Sequence, residues 1–269
     1  MLSALSEYIS IKSIAGDKEE NDKAIIFLKN MLIKIGFSVS IEGESKYEQP
    51  TVIAKYNSTN SNKKVVLYGH YDVEKIHQKE KWVSSDPFIL EEKNNRLYGR
   101  GIADNKGIFL ARIFAIKEMV EKNETVPSIL WLIQGEEEVG GLAPFEVFPK
   151  HTKDFGARLY IEETGYHNKS QQLIFSLPKE PKANFLENLN ETVFQGNAKI
   201  EYRTLNKFFV AGKCPFMESI PNDGYYLGFG PNDELSNIHQ ENESLDKALL
   251  IMHINQFQKF LTWTTEADI

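Results

Sequence analysis

The chain has 269 residues, enough to bury a sizeable core, and its apolar and charged fractions of 41% and 26% are those of a soluble globular protein. A formal net charge of -7 argues against nucleic acid, whose phosphates need clustered Lys and Arg. Cys214 is the only cysteine, which excludes an intramolecular disulfide and a thiolate metal cluster. No apolar run approaches the roughly 20 residues of a membrane span, and the first residues, MLSALSEYIS, lack the basic and apolar regions of a signal peptide. The cytoplasm is the expected location.

In chain order, Leu28, Met31, Leu32 and Ile35 recur at helical spacing, with Gly36 as the stop. Thr51–Tyr56 and Lys64–Tyr68 read as strands, Asn105–Lys122 as a helix burying Ile108, Leu110, Ala111, Phe114 and Ala115. Ser128–Gln134 (SILWLIQ) is a fully buried strand by its length and lack of alternation. Ala157–Ile161 is another strand, and Ser244–Trp263 a closing helix with Leu245, Leu249, Ile251, Phe257 and Leu261 towards the core. Strands alternating with helices predict an α/β fold: a mixed, largely parallel central sheet flanked by helices. The segment 178–215 has weak periodicity apart from a strand near 198–202, and is expected to be a connection within a single domain spanning 1–269.

The ionisable residues of interest follow strands, where α/β sheets collect ligands. His70 and Asp72 stand two apart in GHYD, so an extended backbone points both to one side and a carboxylate can fix the imidazole tautomer. Asp104 sits in the glycine-rich GRGIADNKG turn, which matches neither a phosphate loop nor a dinucleotide fingerprint. Each of these, alone, reads equally as an ordinary strand end or a helix cap. Glu136-Glu137-Glu138 is harder to explain as surface, because three adjoining carboxylates after a buried strand repel one another unless cations or protons compensate them. Glu162 and Glu163 repeat the pattern, and His239 lies far along in NIHQENE. Histidines and carboxylates without thiolate suit Zn²⁺ in an open site, or Mn²⁺ or Co²⁺.

The ordered segments VVLYGHYDV, WVSSDPF, LYGRGIADNKG, QGEEEVGG, YIEETG, FMESIP and GFGPNDELSNIHQENE resemble the M20 family of metallopeptidases, especially its dipeptidase branch related to carnosinases. The likeness covers residues 1 to about 177 and resumes near Phe216. It implies two zinc ions, one on His70 and the other on His239, bridged by Asp104, with Asp72 supporting His70. In the family's Glu-Glu-x-Gly frame, anchored here on Val139-Gly140, Glu137 is the general base and Glu138 a ligand; a shifted frame would give these roles to Glu136 and Glu137. The acid before Thr-Gly makes Glu163 the remaining ligand, with Glu162 as its alternative. The resemblance also implies a cis peptide at Asp104-Asn105.

Family members usually carry a lid domain that dimerises and contributes substrate-binding groups. Here 178–215 is far shorter than an independent domain, so no separate lid is expected, and a monomer, or a dimer through other surfaces, follows. Arg203 and Lys207 are the candidates to replace the lid's cation, against the plainer reading of solvated surface charges. The expected activity is hydrolysis of an amide bond in a small peptide or N-acyl amino acid, with no nucleic-acid or membrane partner. A biosynthetic enzyme acting on a specialised or carrier-bound substrate is the alternative within enzymes, and a catalytically silent binding protein the alternative outside them. The intact ligand set argues against the last.

Overall fold

The computed structural model describes the chain except for residues 45, 47, 78, 164, 169–170, 178–183 and 204–214 and the side chain of Glu218, so Lys207 and Cys214 lie outside the described residues. Two helices, α1 (Leu2–Ser10) and α2 (Lys18–Lys34), open the chain. Asp17 caps α2 by accepting from the Glu20 amide, and Gly36 takes the positive φ (96°) that ends it.

Then come strands β1 (Ser38–Glu42), β2 (Thr51–Tyr56) and β3 (Lys64–His70), and the short pair β4 (Glu91–Lys93) and β5 (Arg96–Tyr98). Helix α3 (Gly107–Glu121), β6 (Ser128–Gln134), α4 (Ala143–Phe155), β7 (Leu159–Ile161), β8 (His167–Asn168) and β9 (Gln171–Ser176) follow. The remaining elements are α5 (Phe185–Phe194), β10 (Ala198–Tyr202), β11 (Tyr225–Gly228), β12 (Ser244–Asp246) and α6 (Lys247–Glu266).

The main sheet runs β1-β2-β6-β3-β7-β11-β9-β10, with β8 beside β9. Its centre, β6-β3-β7-β11, is parallel; antiparallel pairing begins at β2 on one side and β9 on the other. This is the expected mixed sheet with a parallel centre. Alternate residues of the central strands feed two cores: Ile129, Trp131 and Ile133 of β6 face α2, α3 and α6, while Leu130 and Leu132 face α4. Trp131 stacks on Phe109 of α3 at 4.3 Å, which locks that helix to the middle of the sheet.

Two sequence expectations differ in detail. Ser244–Asp246 is not the first turn of the last helix but a strand pairing with β5, and Asp246 then caps α6 through the amides of Ala248 and Leu249. The buried face of α6 is Leu250, Ile254, Phe257, Phe260 and Leu261; Ile251 is 46% exposed and Leu249 only half-buried. Within 178–215, the strand expected near 198–202 is β10, but the weak periodicity did not reveal helix α5 before it. Strand β10 pairs parallel with β9, and Phe185, Leu186, Leu189 and Val193 of α5 join the same core as α6.

Candidate metal centre

The parallel strands all end on one edge of the sheet, and there the sequence-predicted residues converge. His70 is the last residue of β3. Glu137 and Glu138 sit in a single 3-10 turn after β6, entered through Glu136 in the left-handed region (φ 59°). Glu163 lies two residues past β7, and Asp104 in the turn before α3, where the Asp104-Asn105 peptide is cis as the resemblance implied. His239 reaches the same place from the loop between β11 and β12.

Asp104 lies at the middle. Its Oδ1 is 3.0 Å from His70 Nε2, and its Oδ2 is 3.2 Å from His239 Nε2. Around the first pair lies Glu163, Oε2 at 3.7 Å from His70 Nε2; around the second lies Glu138, Oε2 at 2.9 Å from His239 Nε2. His70, Asp104 and Glu163 offer one donor atom each within 4.8 Å of one another, and so do His70, Glu137 and Glu138. The donor set is imidazole and carboxylate, which fits a borderline divalent cation such as Zn²⁺.

The protonation pattern carries the same message. Burial resists a charge on His70, yet Glu163, Asp104 and Asp72 outweigh it and raise its pKa well above the ordinary value. Hydrogen bonds to Asp104 and Glu138 raise His239 to about 10. Burial pushes Glu138 up to about 7, and also raises Glu137 and Glu163. These upward shifts reflect a carboxylate density that a buried site holds only against positive charge.

Asp72 is almost fully buried, and its geometry sharpens its expected role. His70 Nδ1 lies 3.0 Å from the Asp72 carbonyl oxygen and 3.5 Å from its carboxylate. That carboxylate accepts from the Glu137 and Glu138 amides at 3.2 and 3.1 Å. Asp72 therefore orients the histidine and the glutamate turn together. Glu162 and Glu163 divide cleanly. Glu162 turns to Arg203, whose Nη1 is 2.6 Å from Oε1, and to the Tyr226 hydroxyl, leaving Glu163 facing His70. Arg203 is thus a buried ion-pair partner (8% exposed), contrary to the solvated surface charge read from the sequence.

Sequence reasoning missed three supporting residues. Glu243 accepts from the amides of Gly101, Ala103 and Asp104 at 2.9, 2.8 and 3.1 Å and pairs with Arg100 at 3.0 Å, which pins the Asp104 turn. Asn105 donates its Nδ2 to the Glu163 carboxylate, and Arg112 donates to the Glu162 carbonyl at 2.8 Å. Only Glu243, in the NIHQENE string, carried a signal: an acid close to His239.

Residues 66–263 match peptidase family M20/M25/M40. The chain belongs to that family. Its similarity to curated relatives is local: 28% identity over 165 residues with the probable di- and tripeptidase DUG2 of Saccharomyces cerevisiae, covering 56% of this chain and 19% of the relative. Human Beta-Ala-His dipeptidase is 35% identical over 115 residues, covering 42% of this chain and 22% of that protein. Succinyl-diaminopimelate desuccinylase of Rickettsia canadensis is 32% identical over 138 residues, covering 50% and 35%. The matched stretches are thus about a third or less of these relatives' lengths. The fold agrees with human carnosine dipeptidase 1 at a TM-score of 0.79, with 12% identity, over 99% of this chain and 96% of that one. An M20 family metallo-carboxypeptidase of Sulfolobus solfataricus gives 0.72 at 17% identity, over 99% of both chains. Among the described residues no helix is long and apolar enough to cross a membrane.

Proposed function

We propose that the chain is a metal-dependent hydrolase of an amide bond in a small peptide or N-acyl amino acid, working with two zinc ions and Glu137 as general base. The observation that carries this is the division of Asp104, one carboxylate oxygen towards each histidine. His70 and Glu163 would hold one cation, His239 and Glu138 the other, with Asp104 between them. Two bound divalent cations would supply Lewis acidity for the amide carbonyl and lower the pKa of water.

The remaining chemistry belongs to the chain. Burial lifts the Glu137 carboxylate above its ordinary pKa and so towards the range in which a base is effective near neutrality. Glu137 takes the proton from the attacking water and delivers it to the leaving amine nitrogen. Its position is set by the Asp72 carboxylate, which accepts its amide hydrogen. His239, with 46% of its side chain exposed, leaves the site open on its own side for substrate entry. In the described part of 178–215, Phe185, Leu186, Leu189 and Val193 pack into the main core, which supports reading this segment as part of the catalytic domain.

The test is Glu137→Gln, assayed on dipeptides and N-acyl amino acids alongside elemental analysis. The variant should keep about two zinc equivalents and lose on the order of 10²–10⁴ in turnover. Near-normal turnover in the variant would refute the base assignment, and a wild-type protein that binds no metal would refute the hydrolase.

A further inference from the structure

Helix α3 begins directly after the Asp104 turn, and in its second turn it carries Arg112, a cation with 1% exposure. Arg112 Nη2 lies 2.8 Å from the Glu162 carbonyl oxygen, 3.3 Å from that of Phe229 and 3.5 Å from that of Glu163. These carbonyls have a physical reason to need it. Strands β7 and β11 pair in parallel up to the rung from the Glu162 amide to the Leu227 carbonyl at 2.9 Å. Just beyond, the two chains touch so closely that a Cβ on Gly165 would stand 1.9 Å from the Gly230 nitrogen. Buried carbonyls in that gap must find a donor within the protein.

Burial weighs against the charge of Arg112 and the Glu163 and Glu162 carboxylates on the strand side favour it, and its guanidinium lies 5.3 Å from the centre of the Phe257 ring of α6. His253, also on α6, is the other titratable group facing it, and burial with the Arg112 charge keeps that imidazole neutral. The Asp104 turn and α3 together therefore grip Glu163 twice: Asn105 of the turn donates to its carboxylate, and Arg112 of α3 holds its main chain. The same turn carries Asp104. The other half of the site is held differently, Glu138 by the Asp72 carboxylate and the Glu74 amide.

We infer that Arg112 is a positioning residue that sets Glu163, and through it the metal affinity of the His70 half of the site while leaving the His239 half alone. This rests on the two-metal reading above. The Asp104 turn and the α3 helix that continues it serve two of the three donors of that half, with Arg112 as the far contact.

Calorimetric titration of the metal-free protein with zinc tests it. Wild type should bind two equivalents, and Glu163→Gln should identify the step belonging to the His70 half. Arg112→Met should weaken that same step by about 10–100-fold, the range for groups that orient a ligand, with the other step unchanged. Arg112→Lys keeps the buried charge but not the planar fork, so it should fall between, and it carries the test if Arg112→Met does not fold. His253→Leu disturbs the same packing and should leave both steps as they are. Equal weakening of both steps, or two unaltered steps in a folded Arg112 variant, would overturn the inference by itself. A wild type that takes fewer than two zinc ions would overturn the two-metal reading and this one with it.

Discussion

Glu243 illustrates how a single buried carboxylate can organise a site without being one of its donors. It is 1% exposed, yet the turn amides of Gly101, Ala103 and Asp104 and the Arg100 guanidinium share its two oxygens. Removing it leaves buried donors and a buried cation unanswered, which costs far more than the pair's net contribution. Glu243→Ala should therefore lose about 3–5 kcal/mol of stability in urea denaturation. A loss below about 1 kcal/mol would mean that water reaches the turn and that Asp104 is held some other way. Asp72 follows the same logic from the opposite side of the site, since one carboxylate serves both Glu137 and Glu138.

At the scale of elements, α6 shows what packing adds to periodicity. Its sequence has enough apolar residues to support more than one buried face, and Phe257 and Leu261 belong to either choice. The aromatic contacts select one: Phe257 and Phe260 both pack near Phe229, at 6.3 and 5.3 Å between ring centroids. That choice also buries His253 completely, with neither ring nitrogen bonded. Burial first, then Arg112 and His167, hold its pKa well below the usual value. The unfolded chain binds a proton here below about pH 6.5 and the folded chain does not, so this histidine removes stability as the pH falls through that value. Comparing wild type with His253→Leu between pH 7.5 and 5.5 should give a shallower decline in the variant. The difference should approach about 1.4 kcal/mol per pH unit below 6.5. Parallel declines would show that His253 is hydrated.

For the whole molecule, folding brings together carboxylates that repel one another, and the metals would offset that repulsion in the folded state alone. Chelation should therefore lower the melting temperature. Metal at 100 times its Kd contributes about 2.7 kcal/mol, which for a chain of this size corresponds to roughly 5–10 °C. Restoring zinc to the chelated protein should recover the shift in differential scanning calorimetry, while an unchanged melting temperature would count against a metal bound at this edge.

The sequence by itself determined the parallel sheet centre, through the uninterrupted SILWLIQ and KVVLY runs, and offered the acids that follow them as candidates, which the resemblance then ordered into a set. These are local signals: a strand buried on both faces has no polar alternation, and functional acids follow it directly. The frame of the glutamate run came from the resemblance, anchored on Val139-Gly140, and remains part of the proposal. Only the tertiary structure shows what lies opposite the neighbours Glu162 and Glu163: Arg203 for one, His70 for the other. It alone made Arg203 a buried partner, turned Ser244–Asp246 into a strand, paired β10 with β9 and packed α5 into the core. Each of these depends on contacts between residues far apart in the chain, where periodicity and spacing carry no information. The division of Asp104 between His70 and His239 is the clearest case, since its geometry exists only once residues 70, 104 and 239 occupy the same edge of the sheet.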